Sequence, residues 1–278
     1  RLIIVGQKYQ MNANLYQSRW YAPESKTLVA IYHVGNPKMP VLERYNQIDG
    51  SYRESRLIDS RLYLLSTSDL RIPPVYMNSS ARNEDATWSH TMDAIKKEFS
   101  IQAVVPQIRE VRMSTSTGKY IQNVRSSTRN CSDVSFVLPD DDTLQHVNFT
   151  PSFISVSSID ITDPVARMKS DLLFGDVSQI HMSKNSLYIT SVISQDTTAI
   201  DSKCPPNARC ISPSYQNTSS TLVHRYELHN GNPMYVYTAT ISGNPMNQYS
   251  MDEDANGNFR IVTQQYAWSS GENKNSTV

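Results

Sequence analysis

The sequence predicts a mainly β fold, and three observations lead to this prediction. The 278 residues include 16 Tyr, and 14 Pro stand against only 9 Gly, a composition typical of half-buried strand positions joined by polar connections. Short alternating apolar runs are separated by Gly, Pro, Asn and Asp, the residues that end strands. The order of these runs and turns recurs along the chain, which indicates a repeated unit of strands.

The first segment of this repeat contains four short antiparallel strands. Gly35-Asn36-Pro37 separates the first strand from the second, Gly50 turns the chain into the third, and Asp59-Ser60 turns it into the fourth. Each of these breaks is a turn signal flanked by β-branched and aromatic residues. The four predicted strands are residues 29–34, 41–48, 52–58 and 61–65.

Two later segments repeat the same order of strand, break, strand, Gly turn, strand, turn and aromatic strand. The predicted strands are 153–161, 168–174, 177–182 and 187–190 in the second segment, and 222–228, 235–241, 248–251 and 259–263 in the third. A unit of four strands over about 40 residues is the period of a propeller blade. The sequence therefore predicts a partial β-propeller of about three to four blades. A sandwich and a single barrel are the alternatives, but a sandwich does not predict this order three times.

The region between the first and second segments departs from the repeat. Residues 85–100 place Trp88, Met92, Ile95 and Phe99 at helical spacing, which predicts a short amphipathic helix. Polar stretches at 114–119 and 139–142 are predicted to be solvent loops. The predicted organisation is a first blade region at 1–67, a helix-containing insertion at 68–147 and further blades at 148–278.

Charge and hydropathy exclude two classes of partner. Lys plus Arg and Asp plus Glu number 26 each, so no overall field attracts nucleic acid or an anionic membrane. No apolar run approaches the ~18 residues of a transmembrane span. The chain opens at Arg1 on a strand-like run without a signal peptide, and we expect this start to lie inside a longer product that holds the remaining blades.

Three groups of motifs in the repeats carry a resemblance to a known family. They are Gly50 to Asp59 with Leu62-Tyr63-Leu64, His181-Met182-Ser183 with Asn185 to Tyr188, and Asn247 to Glu253 with Asn256-Gly257 and Phe259 to Thr263. In these motifs the chain resembles the family of secreted bacterial and archaeal proteins that carry a C-terminal β-propeller domain, distantly related to WD repeats. This resemblance implies a fold and an extracytoplasmic location, and it implies no catalytic residue.

The cysteines offer one disulfide candidate. Cys204 and Cys210 are separated by five residues that include two prolines, a spacing that closes a tight surface loop. The alternative is a pair of free thiols. A zinc site is not expected, because no second cysteine pair or histidine couplet lies nearby.

One acidic loop fits the first half of a calcium site. Asp252, Asp254 and Asn256 place oxygen ligands at alternate positions before Gly257. The closing carboxylate of such a loop is missing, since Thr263 stands at its position. The alternative is a hairpin whose Asn256-Gly257 pair adopts positive φ.

Two further motifs favour structural roles. His224 shares a strand face with Leu222, Tyr226 and Leu228, which predicts a hydrogen-bonded histidine in the core. The stretch from Ser116 to Lys119 lacks the flanking residues of a phosphate loop and the apolar pocket that a Ser-Lys nucleophile requires.

Loop aromatics supply the binding candidates. Tyr and Trp side chains beside predicted strands offer rigid amphipathic area for a partner, with packing between blades as the alternative. The sequence thus predicts a non-catalytic extracytoplasmic module that binds protein subunits or a cell-surface polymer. It predicts no cofactor other than calcium. A propeller-type hydrolase with acidic residues at a central channel is the alternative function. The candidate aromatics are Trp20, Tyr21, Tyr215, Tyr266 and Trp268.

Overall fold

The structure is a computed structural model, and the chain in it forms two compact units. Unit 1 comprises Arg1–Ser135 and Ser152–Leu173, and unit 2 comprises Phe136–Pro151 and Phe174–Val278. The residues that the structure describes are 1–10, 24–69, 104–116, 119–127, 129, 131–137, 152–198, 215–228, 231–269 and 272–277.

Strands dominate the described residues, which confirms the mainly β prediction. Two short 3-10 helices, Cys131–Asp133 and Gln248–Ser250, interrupt them. None of the helices in the described part is long and apolar enough to cross a membrane. The strands are β1 Leu2–Gln10, β2 Glu24–His33, β3 Val41–Asp49, β4 Ser51–Ile58, β5 Arg61–Asp69, β6 Ile108–Ser116, β7 Lys119–Ser127, β8 Val134–Phe136, β9 Ser152–Asp160, β10 Lys169–Gly175, β11 Gln179–Met182, β12 Ser186–Thr198, β13 Tyr215–Glu227, β14 Met234–Ser242, β15 Met251–Glu253, β16 Phe259–Ile261, β17 Gln264–Ser269 and β18 Glu272–Thr277.

The described strands are arranged in five sheets. The first has the order β1-β2-β3-β6-β7, the second β4-β5-β9-β10-β8 and the third β11-β12-β13-β14, while β15-β16 and β17-β18 are two-stranded. Central strands of the second sheet are buried on both faces, as β5 and β9 show with unbroken buried runs. These runs combine apolar side chains with Ser and Thr, which are small enough to fit between packed layers.

Aliphatic side chains of the first and second sheets form the core of unit 1. Because side chains alternate across a strand, one face of each sheet supplies the contacts. Complete burial of each such aliphatic side chain stabilises the fold by about 1.5–3 kcal/mol. The cluster consists of Val29, Ile31, Ile48 and Ile108 from the first sheet and Leu62, Leu64 and Ile159 from the second.

The third sheet is an antiparallel meander within unit 2. The long pair β12 and β13 stays in register from Ser186↔Glu227 to Thr198↔Tyr215. An aromatic stack attaches the β15–β16 hairpin to this sheet. The ring centroids of Tyr188 in β12 and Phe259 in β16 lie 3.8 Å apart, with an angle of 13° between the ring planes.

The predicted strand segments occur, but their assignment to blades was wrong. In the first segment, β2 and β3 belong to the first sheet while β4 and β5 belong to the second. The second segment likewise divides between the second and third sheets. The predicted grouping of strands into blades therefore does not match the sheets, since the second and third sheets each join the end of one segment to the start of the next. The count of three to four blades stays a prediction.

Within unit 1, the backbone at Gly50 explains why one predicted segment divides between two sheets. Gly50 has a φ of 116°, and its N–H donates to the Ser25 carbonyl at 2.9 Å. The buried Thr27 hydroxyl donates to the Gly50 carbonyl at 2.9 Å. The chain therefore leaves the first sheet at this glycine and enters the second, whereas the sequence predicts only a turn there.

The same corner recurs within unit 2 at Gly243. Its φ is 79°, its N–H donates to the Ser219 carbonyl at 2.8 Å, and the Thr221 hydroxyl donates to its carbonyl at 2.6 Å. In both units, therefore, the Ser and Thr of a Ser-x-Thr sequence bind the backbone of a later glycine in the same way. The internal repeat thus includes these hydrogen bonds as well as the order of strands.

Part of the predicted insertion is a β-hairpin of the first sheet. The prediction of a loop at 114–119 was wrong, because β6 runs to Ser116 and β7 begins at Lys119. Pairing of β6 with β7, which extends to Ser116↔Lys119, supplies the backbone hydrogen bonds that the polar sequence did not suggest. The predicted helix at 85–100 and the predicted loop at 139–142 lie outside the described residues.

Candidate binding site

An open groove of about 540 Å³ lies beside the β6–β7 hairpin in unit 1. We call it the arginine groove, because three guanidinium groups line it against a single carboxylate. It is lined by Glu110, Arg112, Asn123, Val124, Arg125, Val165 and Arg167.

Strand register brings the polar groups of the groove onto one face. Arg112 pairs with Asn123, and Glu110 pairs with Arg125. Because these residues are spaced by two along β6 and β7, their side chains emerge on the same side of the sheet. Arg44 of β3 pairs with Arg112 and continues this polar face.

Arginine contacts to backbone carbonyls hold the opposite wall, which is the connection between β9 and β10. The Arg44 Nη1 donates to the Ala166 carbonyl at 2.7 Å, and its Nη2 donates to the Asp160 carbonyl. The Arg112 Nη2 donates to the Val165 carbonyl at 2.7 Å and to that of Ala166 at 3.2 Å. Burial, followed by the charges of Arg112 and Arg1, lowers the pKa of Arg44.

Carboxylates complete the attachment of this wall. The Glu110 Oε1 accepts a hydrogen bond from the Met168 N–H at 2.6 Å. Asp160 accepts from the Thr162 hydroxyl at 2.7 Å, and this bond is the largest of the causes that lower the pKa of Asp160. The wall is therefore fixed by side chains from the strands on which it packs.

A buried arginine anchors the base of the hairpin. Arg129 follows β7 and is 5% exposed, and its Nη1 donates to the Pro106 carbonyl and the Ser155 hydroxyl, both at 3.3 Å. Burial lowers the pKa of Arg129 to about 10, which leaves it cationic at neutral pH. The base of the hairpin is therefore attached to β9 of the second sheet by a buried guanidinium group.

The remaining guanidinium groups are available to a ligand. Arg125 and Arg167 are exposed, and neither makes a hydrogen bond or an ion pair with any residue that the structure describes. Glu110 is the single carboxylate in the lining, so it offsets only one of the three positive charges. Exposed guanidinium groups at a concave surface favour carboxylate or other oxyanion ligands, which they bind in a bidentate manner.

The structure confirms the predicted core role of His224. It is 1% exposed, and its Nε2 lies 3.0 Å from the Ser191 Oγ while its Nδ1 lies 2.6 Å from the Thr238 Oγ1. Since the Ser191 hydroxyl donates to the Asp176 carbonyl, Ser191 accepts from Nε2–H, and the Nδ1 lone pair accepts from Thr238. Burial lowers the pKa of His224 to about 4. The Ser–His pair is enclosed in the third sheet as a structural network.

The acidic loop at 252–256 forms a hairpin turn between β15 and β16. The Asp254 carboxylate accepts from the N–H groups of Asn256 and Asn258, both at 2.9 Å, and Gly257 has a φ of 81°. Asp252 pairs with Arg260 at 2.5 Å. Within the described residues, no three His, Cys, Asp or Glu side chains form a metal-binding group. Calcium binding by Asp252, Asp254 and Asn256 stays a prediction.

The side chains of the other predicted site residues lie outside the part of the chain that the structure describes. Trp20, Tyr21, Cys204 and Cys210 lie outside the described residues. The backbone of Tyr215 begins β13, and Tyr266 and Trp268 lie in β17. Their roles in binding and disulfide formation stay predictions.

Sequence reasoning missed the residues of the arginine groove. The pattern Ile108-Arg-Glu-Val-Arg112 alternates apolar with polar residues only in part, and no turn signal except Gly118 marked a hairpin. Recognising this run as a strand was the one available signal, since it places Glu110 and Arg112 on a single face.

Comparison with known proteins agrees with the repeat architecture. No curated protein and no solved structure gives a significant match to this chain. The model of the β-propeller domain family matches residues 1–278, and the chain therefore belongs to that family.

Proposed function

We propose that this β-propeller domain is a non-catalytic binding module of an extracytoplasmic protein. It engages a protein or surface-polymer partner through the arginine groove, as a subunit of a larger assembly. The observation that carries this proposal is the pair of exposed guanidinium groups, Arg125 and Arg167, that meet no partner among the described residues yet line a groove with fixed walls.

The rigidity of the groove favours recognition of a partner. Its far wall is held by four backbone contacts from Arg44 and Arg112. A wall that is already fixed loses little conformational entropy when a ligand binds, so more of the attraction to Arg125 and Arg167 contributes to affinity. The same charges accelerate association with an anionic partner at low ionic strength.

Crosslinking in the extracytoplasmic fraction of the native cells tests this function. We expect the wild-type chain to give a discrete adduct that the double charge reversal R125E/R167E loses. The variant K38E/K184E is the matched control, because it changes the net charge equally at two exposed positions outside the groove. An adduct that persists in R125E/R167E, or no adduct with any variant, contradicts the proposal.

The extracytoplasmic location predicts an oxidised Cys204–Cys210 pair. Alkylation in denaturant before and after reduction, followed by peptide mass mapping, measures the state of each thiol. We expect both residues to be labelled only after reduction, while the lone Cys131 is labelled in either case. Labelling of Cys204 and Cys210 without reduction contradicts the proposed location.

A further inference from the structure

The arginine groove follows the free edge of a strand. Its lining includes Asn123, Val124 and Arg125, three consecutive residues of β7. Consecutive side chains of a strand point to opposite faces of the sheet, so a cavity that contacts all three reaches the backbone edge between them.

This edge is open in the described part of the chain. β7 is the last strand of the first sheet, and residues 123–127 are all exposed. At the edge of an antiparallel sheet, every second residue turns its N–H and C=O away from the neighbouring strand. The groove therefore offers backbone donors and acceptors as well as guanidinium groups.

Charge spacing matches that of an extended peptide. Asn123 and Arg125 are two residues apart on β7 and lie about 7 Å from each other along the strand. Residues i and i+2 of an added strand are separated by the same distance, and their side chains point to the same face of the sheet. Carboxylates at those two positions of a peptide can reach Arg125 together with Arg112, while Arg167 faces them from the opposite wall.

Building on the proposed function, we propose that the arginine groove binds an extended acidic segment of another protein, which adds to β7 as a further strand. Its carboxylates, at alternate positions, pair with Arg112, Arg125 and Arg167, and its backbone hydrogen-bonds to the β7 edge. An acidic polysaccharide satisfies the charges but lacks the alternating amide groups of a strand, so the open edge favours a polypeptide.

A display library of random twelve-residue peptides tests the chemistry of the ligand. The library is selected on the wild-type chain and on R125E/R167E, with K38E/K184E as the control. We expect enrichment of Asp or Glu at positions i and i+2 on the wild type and on the control, and no such enrichment on R125E/R167E. Enrichment without acidic residues overturns the proposal.

Fluorescence anisotropy with one selected peptide then tests strand addition. We expect R125E/R167E to weaken its binding by about tenfold to 100-fold, since two charge-assisted pairs are lost. N-methylation of alternate amides, in the register that faces β7, is expected to weaken binding by at least about tenfold because strand hydrogen bonds cannot form. Oligogalacturonate is the polysaccharide competitor and is expected to displace little peptide.

Two outcomes separate the failure of this inference from failure of the proposed function. Strand addition is overturned if peptides N-methylated in the register that faces β7 and in the opposite register bind equally well, or if oligogalacturonate displaces the peptide fully. In either case a crosslinked adduct still supports a binding module. Loss of the adduct together with the absence of acidic enrichment overturns both.

Discussion

Replacing Gly50 by alanine is expected to destabilise unit 1 by about 3–4 kcal/mol, because two penalties add. The φ of 116° at this position lies in a region that residues with a Cβ rarely adopt. An added Cβ also lies only 2.6 Å from the Thr67 carbonyl oxygen. The Gly50 backbone that carries this Cβ is held by the Ser25 and Thr27 hydrogen bonds. The Thr67 oxygen belongs to the backbone of β5, so no side-chain rotation relieves the contact. The free energy of unfolding in urea measures the effect.

Gly6→Ala is the matched control for this substitution. Gly6 lies in β1, and a Cβ built there meets nothing within 4 Å. We expect G6A to change stability by less than about 1 kcal/mol, with a tendency to stabilise because the unfolded chain loses freedom. Equal stability of G50A and G6A contradicts the role of Gly50 as the corner between two sheets.

Acidification is expected to destabilise the third sheet through His224. The pKa of this histidine in the folded chain is about 4, whereas that of an unfolded histidine is about 6.5. Between these values the unfolded chain binds a proton that the folded chain does not, so the free energy of unfolding falls as the pH falls. The loss is about 3 kcal/mol across this window, since one pKa unit corresponds to about 1.4 kcal/mol.

Urea unfolding from pH 7.5 to pH 4 in the wild type, H224Q and H33Q measures this contribution. Glutamine at 224 does not titrate, so we expect a lower stability at pH 7.5 and a flatter pH profile. His33 has a side chain that is 62% exposed, and H33Q is expected to retain the steep profile that His224 causes. A wild-type profile as flat as that of H224Q contradicts the burial of a neutral His224.

The site was less accessible to sequence reasoning than the strands. Alternation of side chains predicted His224 in the core, because its apolar neighbours on the strand are at even spacing. The arginine groove depends on pairings between strands far apart in sequence, such as Arg44 with Arg112 and the contact of Arg112 with Val165. Local spacing carries no information on such pairings.

The sequence by itself determined the strands of the three repeated segments, their order and the turns between them, because side-chain alternation and turn residues act over a few residues. It also determined that Gly50 and Gly243 mark repeated breaks. It did not reveal the β6–β7 hairpin. Tertiary structure alone decided which strands share a sheet. A glycine at positive φ is compatible both with a hairpin turn and with a corner at which the chain enters another sheet. Hydrogen bonds to distant residues such as Ser25 and Ser219 decide between the two. For the same reason, only the folded chain collects Arg112, Arg125 and Arg167 around one groove.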